Sequence, residues 1–245
     1  MKVNILQLKI EELPEKNIEK VASLTKVYKD EVFLLPELFT TGFNYEIIDK
    51  YIDRQTIFLN MLPHQNTYIG SIPVSKDGEK YNTMFIKSGE RLSFLYNKIH
   101  LFFMMNEDSY FSPGKDVALF QLDDFKCGCA ICFDLRFPEL FRKYFLQDAD
   151  IIFIPMQWPR ERVLQMIPLA QARAIENQCY IVVSNAIGKI WGTFFGGNSM
   201  LISPVGEIIT NACEVEDEVF SLNIDKNIVK EFKTSMPLKQ CIKLL

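Results

Sequence analysis

The chain has 245 residues, 48% of them hydrophobic and 24% charged, so it can bury a sizeable core and is not a disordered polymer. Its formal net charge of -4, without a lysine or arginine run that would track a phosphate backbone, argues against a nucleic-acid partner. No stretch approaches the roughly 20 uninterrupted apolar residues of a membrane helix, and six cysteines behind the quickly acidic N-terminus MKVNILQLKIEELPEK predict a cytoplasmic protein with reduced thiols.

In chain order, hydrophobic spacing predicts a strand over 3–8, a helix over 14–29, a strand over 32–35 and a helix over about 48–62. Strands follow over 67–74, 83–86, 92–96, 117–122 and 126–132. A helix over 138–147, opened by Pro138, precedes a strand over 151–154, a helix over 160–177 and a strand over 180–184. Strands over 199–202, 207–209 and 219–222 lead to a last helix over about 226–233. Neither repeats nor low-complexity segments divide the chain, so a single domain over 1–245 is expected. The excess of strands suits an α/β (α+β layered) fold of two packed sheets flanked by helices, since each sheet then has one face on its partner and one under helices. The 160–177 helix is apolar nearly all round, with Val163, Leu164, Met166, Ile167, Leu169 and Ile175 among its residues, so both its sides need cover. A second copy of the chain, giving a homodimer, is the expected cover.

Three segments place an ionisable residue beside a strand end in apolar company: LLPELFTTGF with Glu37, YNKIHLF with Lys98 and CFDLRFPEL with Cys132. Ligands of α/β proteins collect at the carboxyl ends of strands. A thiol of ordinary pKa, about 8.5, needs a base or a cation to become a nucleophile. Glu37, in the apolar setting of Leu34, Leu35, Leu38 and Phe39, suits the base, while Lys98 and the backbone N–H of Phe133 suit the donors to a developing oxyanion. Each has a plainer reading: a turn carboxylate, a strand-end lysine, a packed thiol like Cys179.

Cys127, Cys129 and Cys132 form C-x-C-x-x-C, which lacks the paired spacing and fourth ligand of structural zinc. The first two have the opposite parity to Cys132, so the strand should turn them to its other face, and neither a metal nor a cofactor is expected. His64 or His100 would serve a Cys/His hydrolase, and His100 shares a strand face with Lys98 on this spacing. Arg136 suits either a substrate carboxylate or an ion pair with Glu139 that holds the turn after Cys132. Trp158 and Arg160 in QWPRER follow the 151–154 strand and border the pocket, and Arg173 with Glu176 reads as a local helix pair.

The order Glu, Lys, Cys in PELF, KIHLF and CFDLRFPEL, followed by ARAIENQCYIVVSN and GNSMLISPVGEII, resembles the carbon–nitrogen hydrolase (nitrilase) superfamily over almost the whole chain. The resemblance implies a four-layer αββα sandwich, usually dimeric, with Glu37 as general base, Lys98 stabilising the tetrahedral intermediate and Cys132 forming a thioester. It also implies a second glutamate after the lysine segment, which Glu107 in FFMMNEDSYFSPG matches ahead of Asp108. YNKIHLF and PMQWPRER are most similar to the omega-amidase branch, whose members hydrolyse the amide of 2-oxoglutaramate or 2-oxosuccinamate. Asn97 and Phe133 depart from the second basic residue and the Tyr common in the family, which reshapes the pocket. Phe133, Arg136 and Trp158 are the expected substrate-facing residues. N-carbamoyl amino acids, deaminated glutathione, nitriles and a non-enzymatic binding role are the competing readings.

Overall fold

The computed structural model describes residues 1–243. The first half runs β1 (Lys2–Gln7), α1 (Pro14–Thr25), β2 (Val32–Leu34), α2 (Tyr45–Tyr51), α3 (Gln55–Asn60), β3 (Thr67–Lys76), β4 (Glu79–Ser88), β5 (Arg91–Asn97) and the single turn α4 (Glu107–Tyr110). The second runs β6 (Leu119–Leu122), β7 (Phe125–Cys129), α5 (Pro138–Leu146), β8 (Ile151–Met156), α6 (Val163–Asn177), β9 (Tyr180–Asn185), β10 (Ile187–Ile190) and β11 (Thr193–Gly196). It closes with β12 (Met200–Ile202), β13 (Ile208–Asn211), β14 (Glu218–Asn223) and α7 (Lys226–Ser235).

Two six-stranded sheets result, in the orders β14-β1-β2-β3-β4-β5 and β13-β12-β9-β8-β7-β6, with β10 and β11 a separate hairpin. From β14 the first sheet pairs antiparallel, parallel, parallel, antiparallel, antiparallel. From β6 the second pairs in the same succession, so one pattern is built twice. The central parallel pairs β1/β2 and β7/β8 bring the turns after β2, β7 and β8 to the site. Val3, Ile5, Leu34 and Ile69 of the first sheet share a core with Ile152, Val182 and Leu201 of the second. Phe33 and Leu35, on the opposite face of the first sheet, pack under α1 and α3 through Ile18, Val21, Phe58 and Leu59. This is the layered α/β arrangement of two sheets clothed by helices.

The structure corrects several boundaries. The strand predicted to run through Cys132 ends at Cys129, because the Asp134 carboxylate takes the Ile131 N–H at 2.9 Å and the chain winds into a 3-10 turn over Cys132–Arg136. The predicted 48–62 helix is α2 and α3 with a 3-10 turn between them. The 160–177 helix begins with a 3-10 turn at Arg160–Arg162. Within the chain α6 buries only one side, leaving Leu164 87% exposed and Ile175 46% exposed. Among the described residues no helix is long and apolar enough to cross a membrane.

Candidate active site

The turns after β2, β5 and β7 supply Glu37, Lys98 and Cys132, and α4 supplies Glu107. Each acidic or thiol position is set by an unusual backbone: Leu38 beside Glu37, Asn106 before Glu107, and Cys132 itself have φ of +42°, +55° and +44°. Non-glycine residues in the left-handed region cost energy and persist where surrounding contacts hold them, as they do at ligand sites.

Lys98 is the hub. Its Nζ donates to Glu37 Oε1 at 2.8 Å and to Glu107 Oε2 at 2.7 Å, and all three side chains are buried. Asn82, on β4, donates from one Nδ2 to Glu37 Oε1 at 2.8 Å and Glu107 Oε1 at 3.1 Å. Backbone donors complete the cage: Gln157 N reaches Glu37 Oε2 at 3.0 Å and Phe102 N reaches Glu107 Oε2 at 2.7 Å. Gln157 Nε2 also donates to Glu37 O at 2.7 Å, which locks the turn after β8 onto the turn after β2.

The cluster holds two carboxylates against one ammonium, so one carboxylate is poised to accept a proton. Burial pushes the Glu37 carboxyl above its ordinary value, the Lys98 cation pulls it down, and the Glu107 charge pushes it up again. Burial opposes the charge of Lys98, but Glu107 and Glu37 outweigh it and raise its pKa. Burial, then the Glu37 charge, hold the Cys132 thiol well above its usual range, with Lys98 pulling the other way. The thiol therefore rests protonated and must pass its proton on to react.

Asp134 ties the cysteine turn to the lysine turn. Its buried Oδ2 accepts from Ile131 N and from Tyr96 Oη at 2.8 Å, while Oδ1 accepts from His100 N at 3.0 Å and lies 2.7 Å from His100 Nδ1. His100 stacks on Phe137 with centroids 3.6 Å apart. Thus His100 does not share a face with Lys98 as the strand spacing suggested; β5 ends at Asn97, and the two side chains diverge into different networks. His64 lies against exposed Glu90, remote from this network. Arg173 is buried, pairs with Glu176 at 2.9 Å and also donates from Nε to Leu135 O at 3.0 Å, so it supports the cysteine turn from behind.

The mouth differs from the floor. Cys132 opens on a recess of about 20 Å³ lined with Phe102, Phe133, Arg136, Gln157, Trp158, Pro159 and Arg162, enough for about one water. Phe102, Pro159 and Arg162 also wall a cavity of about 600 Å³ reaching Met104, Met105, Thr193 and Phe194. Arg136 does not pair with Glu139; it donates to the neutral Gln165 at 2.7 Å and lies over the Trp158 ring at 4.8 Å. Trp158 is buried, its indole N–H given to Arg162 O at 2.9 Å, and Arg160 faces Glu214 at the surface.

The structure thus brings Glu37, Lys98, Glu107, Cys132, Phe133, Arg136 and Trp158 to one place. The cysteines do not converge as ligands: among the described residues no group of three or more His, Cys, Asp or Glu could hold a metal ion. Asn82, Tyr96, Asp134, Gln157 and Arg162 are participants that sequence reasoning missed. A polar Asn82 inside the apolar run YNTMFI, and Asp134 two residues past Cys132, were the available signals.

A family model described as Carbon-nitrogen hydrolase matches residues 2–234. The chain is 34% identical over 236 residues to a 2-oxoglutaramate amidase of Bacillus subtilis (strain 168), covering 92% of this chain and 90% of the relative. It is 32% identical to a nitrilase of Pyrococcus abyssi (strain GE5 / Orsay), covering 89% of this chain and 86% of that one. The crystal structure of XC1258 from Xanthomonas campestris, a CN-hydrolase superfamily protein with an arsenic adduct in its active site, matches with a TM-score of 0.93. That match has 24% identity and covers 100% of this chain and 98% of the other, and it shows the shared fold.

Proposed function

This chain belongs to the carbon–nitrogen hydrolase family, and we propose that it hydrolyses the terminal amide of a small 2-oxo dicarboxylic monoamide, 2-oxoglutaramate or 2-oxosuccinamate. It is an amidohydrolase, and the products would be the dicarboxylate and ammonia. The observation that carries the reading is a buried thiol beside the Glu37 carboxylate and the Lys98 ammonium, opening on a recess lined by two arginines.

Cys132 Sγ attacks the amide carbon as its proton passes to Glu37, whose pKa, raised by burial, makes it a better proton acceptor than an ordinary carboxylate. The oxyanion so formed is met by Lys98 Nζ and the Phe133 N–H. Glu37 then gives the proton to the nitrogen, the C–N bond breaks, and ammonia leaves a Cys132 thioester. Water attacks the thioester while Glu37 takes its proton; the C–S bond breaks and the proton returns to sulfur. Glu107 keeps Lys98 charged and aimed, through the 2.7 Å bond. Rapid quench and intact-mass analysis during turnover of 2-oxoglutaramate tests the scheme: an acyl adduct on Cys132 supports it, and turnover without any adduct in wild type or in a slowed Glu37→Gln variant counts against it.

Residues 1–245 act as one hydrolase unit in this reading, supported by the family match over 2–234. The exposed Leu164 and Ile175 of α6 support a homodimer across that helix. The need for a free Cys132 thiol, in a chain whose six cysteines are all unpaired, supports a reducing, cytoplasmic setting. A nitrile is the second reading, favoured by the name of the archaeal relative; faster ammonia release from the matching nitrile than from the amide would adopt it.

A further inference from the structure

Every charge on the floor of the site has a buried partner, whereas at the mouth, among the described residues, Arg136 has no carboxylate partner and Arg162 has only an exposed one. Arg136 and Arg162 both line the recess above Cys132. Arg136 has only the neutral Gln165 oxygen and the faces of Trp158 and Phe133, at 4.8 and 5.9 Å. Arg162 lies over the Phe102 ring at 5.4 Å, and its carboxylate partner, Glu161 at 3.1 Å, is 71% exposed. The two guanidiniums are near enough that, after burial, the charge of Arg162 is what disfavours the charge of Arg136. Apart from Glu161, neither the recess nor the adjoining cavity is lined by a carboxylate. Two like charges held together over an apolar recess are relieved by an anion between them.

Size fixes where that anion lies. A recess with room for about one water is far smaller than a substrate, so whatever extends beyond the carbonyl at Cys132 must project across the partition of Phe102, Pro159 and Arg162 toward the cavity of about 600 Å³. In a five-carbon monoamide the free carboxylate is four carbon–carbon bonds from the amide carbon, roughly 5 Å, which sets it beside that partition.

We propose that Arg162 is a specificity-determining residue that, with Arg136, grips the free carboxylate of the substrate while Cys132 holds its amide. The identity of the anion as a 2-oxo acid rests on the function proposed above; the anion site itself does not. Binding exchanges the exposed Glu161 contact for a bidentate one on a carboxylate enclosed by Phe102 and Trp158, where charge-assisted pairs are strong.

The test uses two alkylating agents of one reactive carbon that carry, four bonds away, either a carboxylate or a neutral amide, N-iodoacetylglycine and N-iodoacetylglycinamide, with modification of Cys132 followed by peptide mass spectrometry, Cys132→Ala as the blank and iodoacetamide as the folding control. The expected result is a rate ratio, N-iodoacetylglycine over N-iodoacetylglycinamide, that falls about tenfold in Arg162→Ala, again in Arg136→Ala, and less in Arg162→Lys, the charge effect shrinking in salt. Unchanged iodoacetamide rates would show that these variants still fold around the thiol. A ratio that neither alanine variant moves would overturn the proposal. A ratio that falls in a protein inactive on 2-oxoglutaramate would keep the anion site and reject that substrate. Activity on 2-oxoglutaramate with a KM untouched by Arg162→Ala would keep the substrate and reject Arg162.

Discussion

The floor and the rim of the site are built on opposite plans. On the floor Glu37, Lys98, Glu107 and Asp134 are buried, and each is held by two or more hydrogen bonds. At the rim Met104 and Phe194 are 58% and 55% exposed, and the arginines rest on aromatic faces and neutral or exposed partners. A fixed floor preorganises proton transfer and oxyanion stabilisation, which must be in place before the reaction. A loosely held rim decides what is admitted and is free to vary between chains that share the chemistry.

That contrast orders the expected effects. Cys132→Ser or Lys98→Met should remove activity by on the order of 10³-fold or more, since one takes the proposed nucleophile and the other the proposed oxyanion donor. Steady-state ammonia release measures this, and either variant within tenfold of the parent would erase the distinction. Lys98→Met also strands two buried carboxylates, so its melting temperature should fall, as loss of one partner from a buried pair costs about 3–5 kcal/mol.

Asp134→Asn should come next, at about 10²-fold in kcat with KM little changed. It replaces one acceptor oxygen by a donor where Ile131 N, Tyr96 Oη and His100 N already converge. Slower iodoacetamide labelling of Cys132 would report the displaced turn, and an unchanged kcat would mean that the two turns hold their places without Asp134.

The pH profile is a subtler check. Glu37 must be ionised to accept the thiol proton, and burial raises its pKa. Activity should therefore fall as pH drops, with its midpoint above the ordinary glutamate value of about 4.3. The raised pKa of Lys98 predicts no loss of its charge on the alkaline side up to about pH 10. A rate that is flat through the acid limb would remove Glu37 from the base role. At the rim, Phe194→Ala or Met104→Ala should change kcat/KM by less than about fivefold, and a change comparable to that of Lys98→Met would mean that the rim belongs to the catalytic machinery.

Legibility in the sequence follows the same division. Most strands could be read because buried parallel strands are dense apolar runs, and Glu37, Lys98 and Cys132 stood out as polar residues set among them. Asn82, Asp134 and Gln157 were hidden because their roles depend on contacts across 25 to 120 residues of chain. The β10 and β11 hairpin escaped because Gly188 and Gly196 interrupt short strands. Its turn pairs Trp191 with Gly192, both at positive φ, and Trp is an unusual first residue for such a turn. The α6 pattern called for cover on two sides, and the chain itself covers one, leaving Leu164 and Ile175 exposed.

The most direct measurement is ammonia release from 2-oxoglutaramate, with Cys132→Ala as the blank and glutamine as the comparison substrate. The account predicts release by the parent chain alone, much faster than from glutamine. No release, by a protein whose Cys132 still reacts rapidly with iodoacetamide, would contradict it.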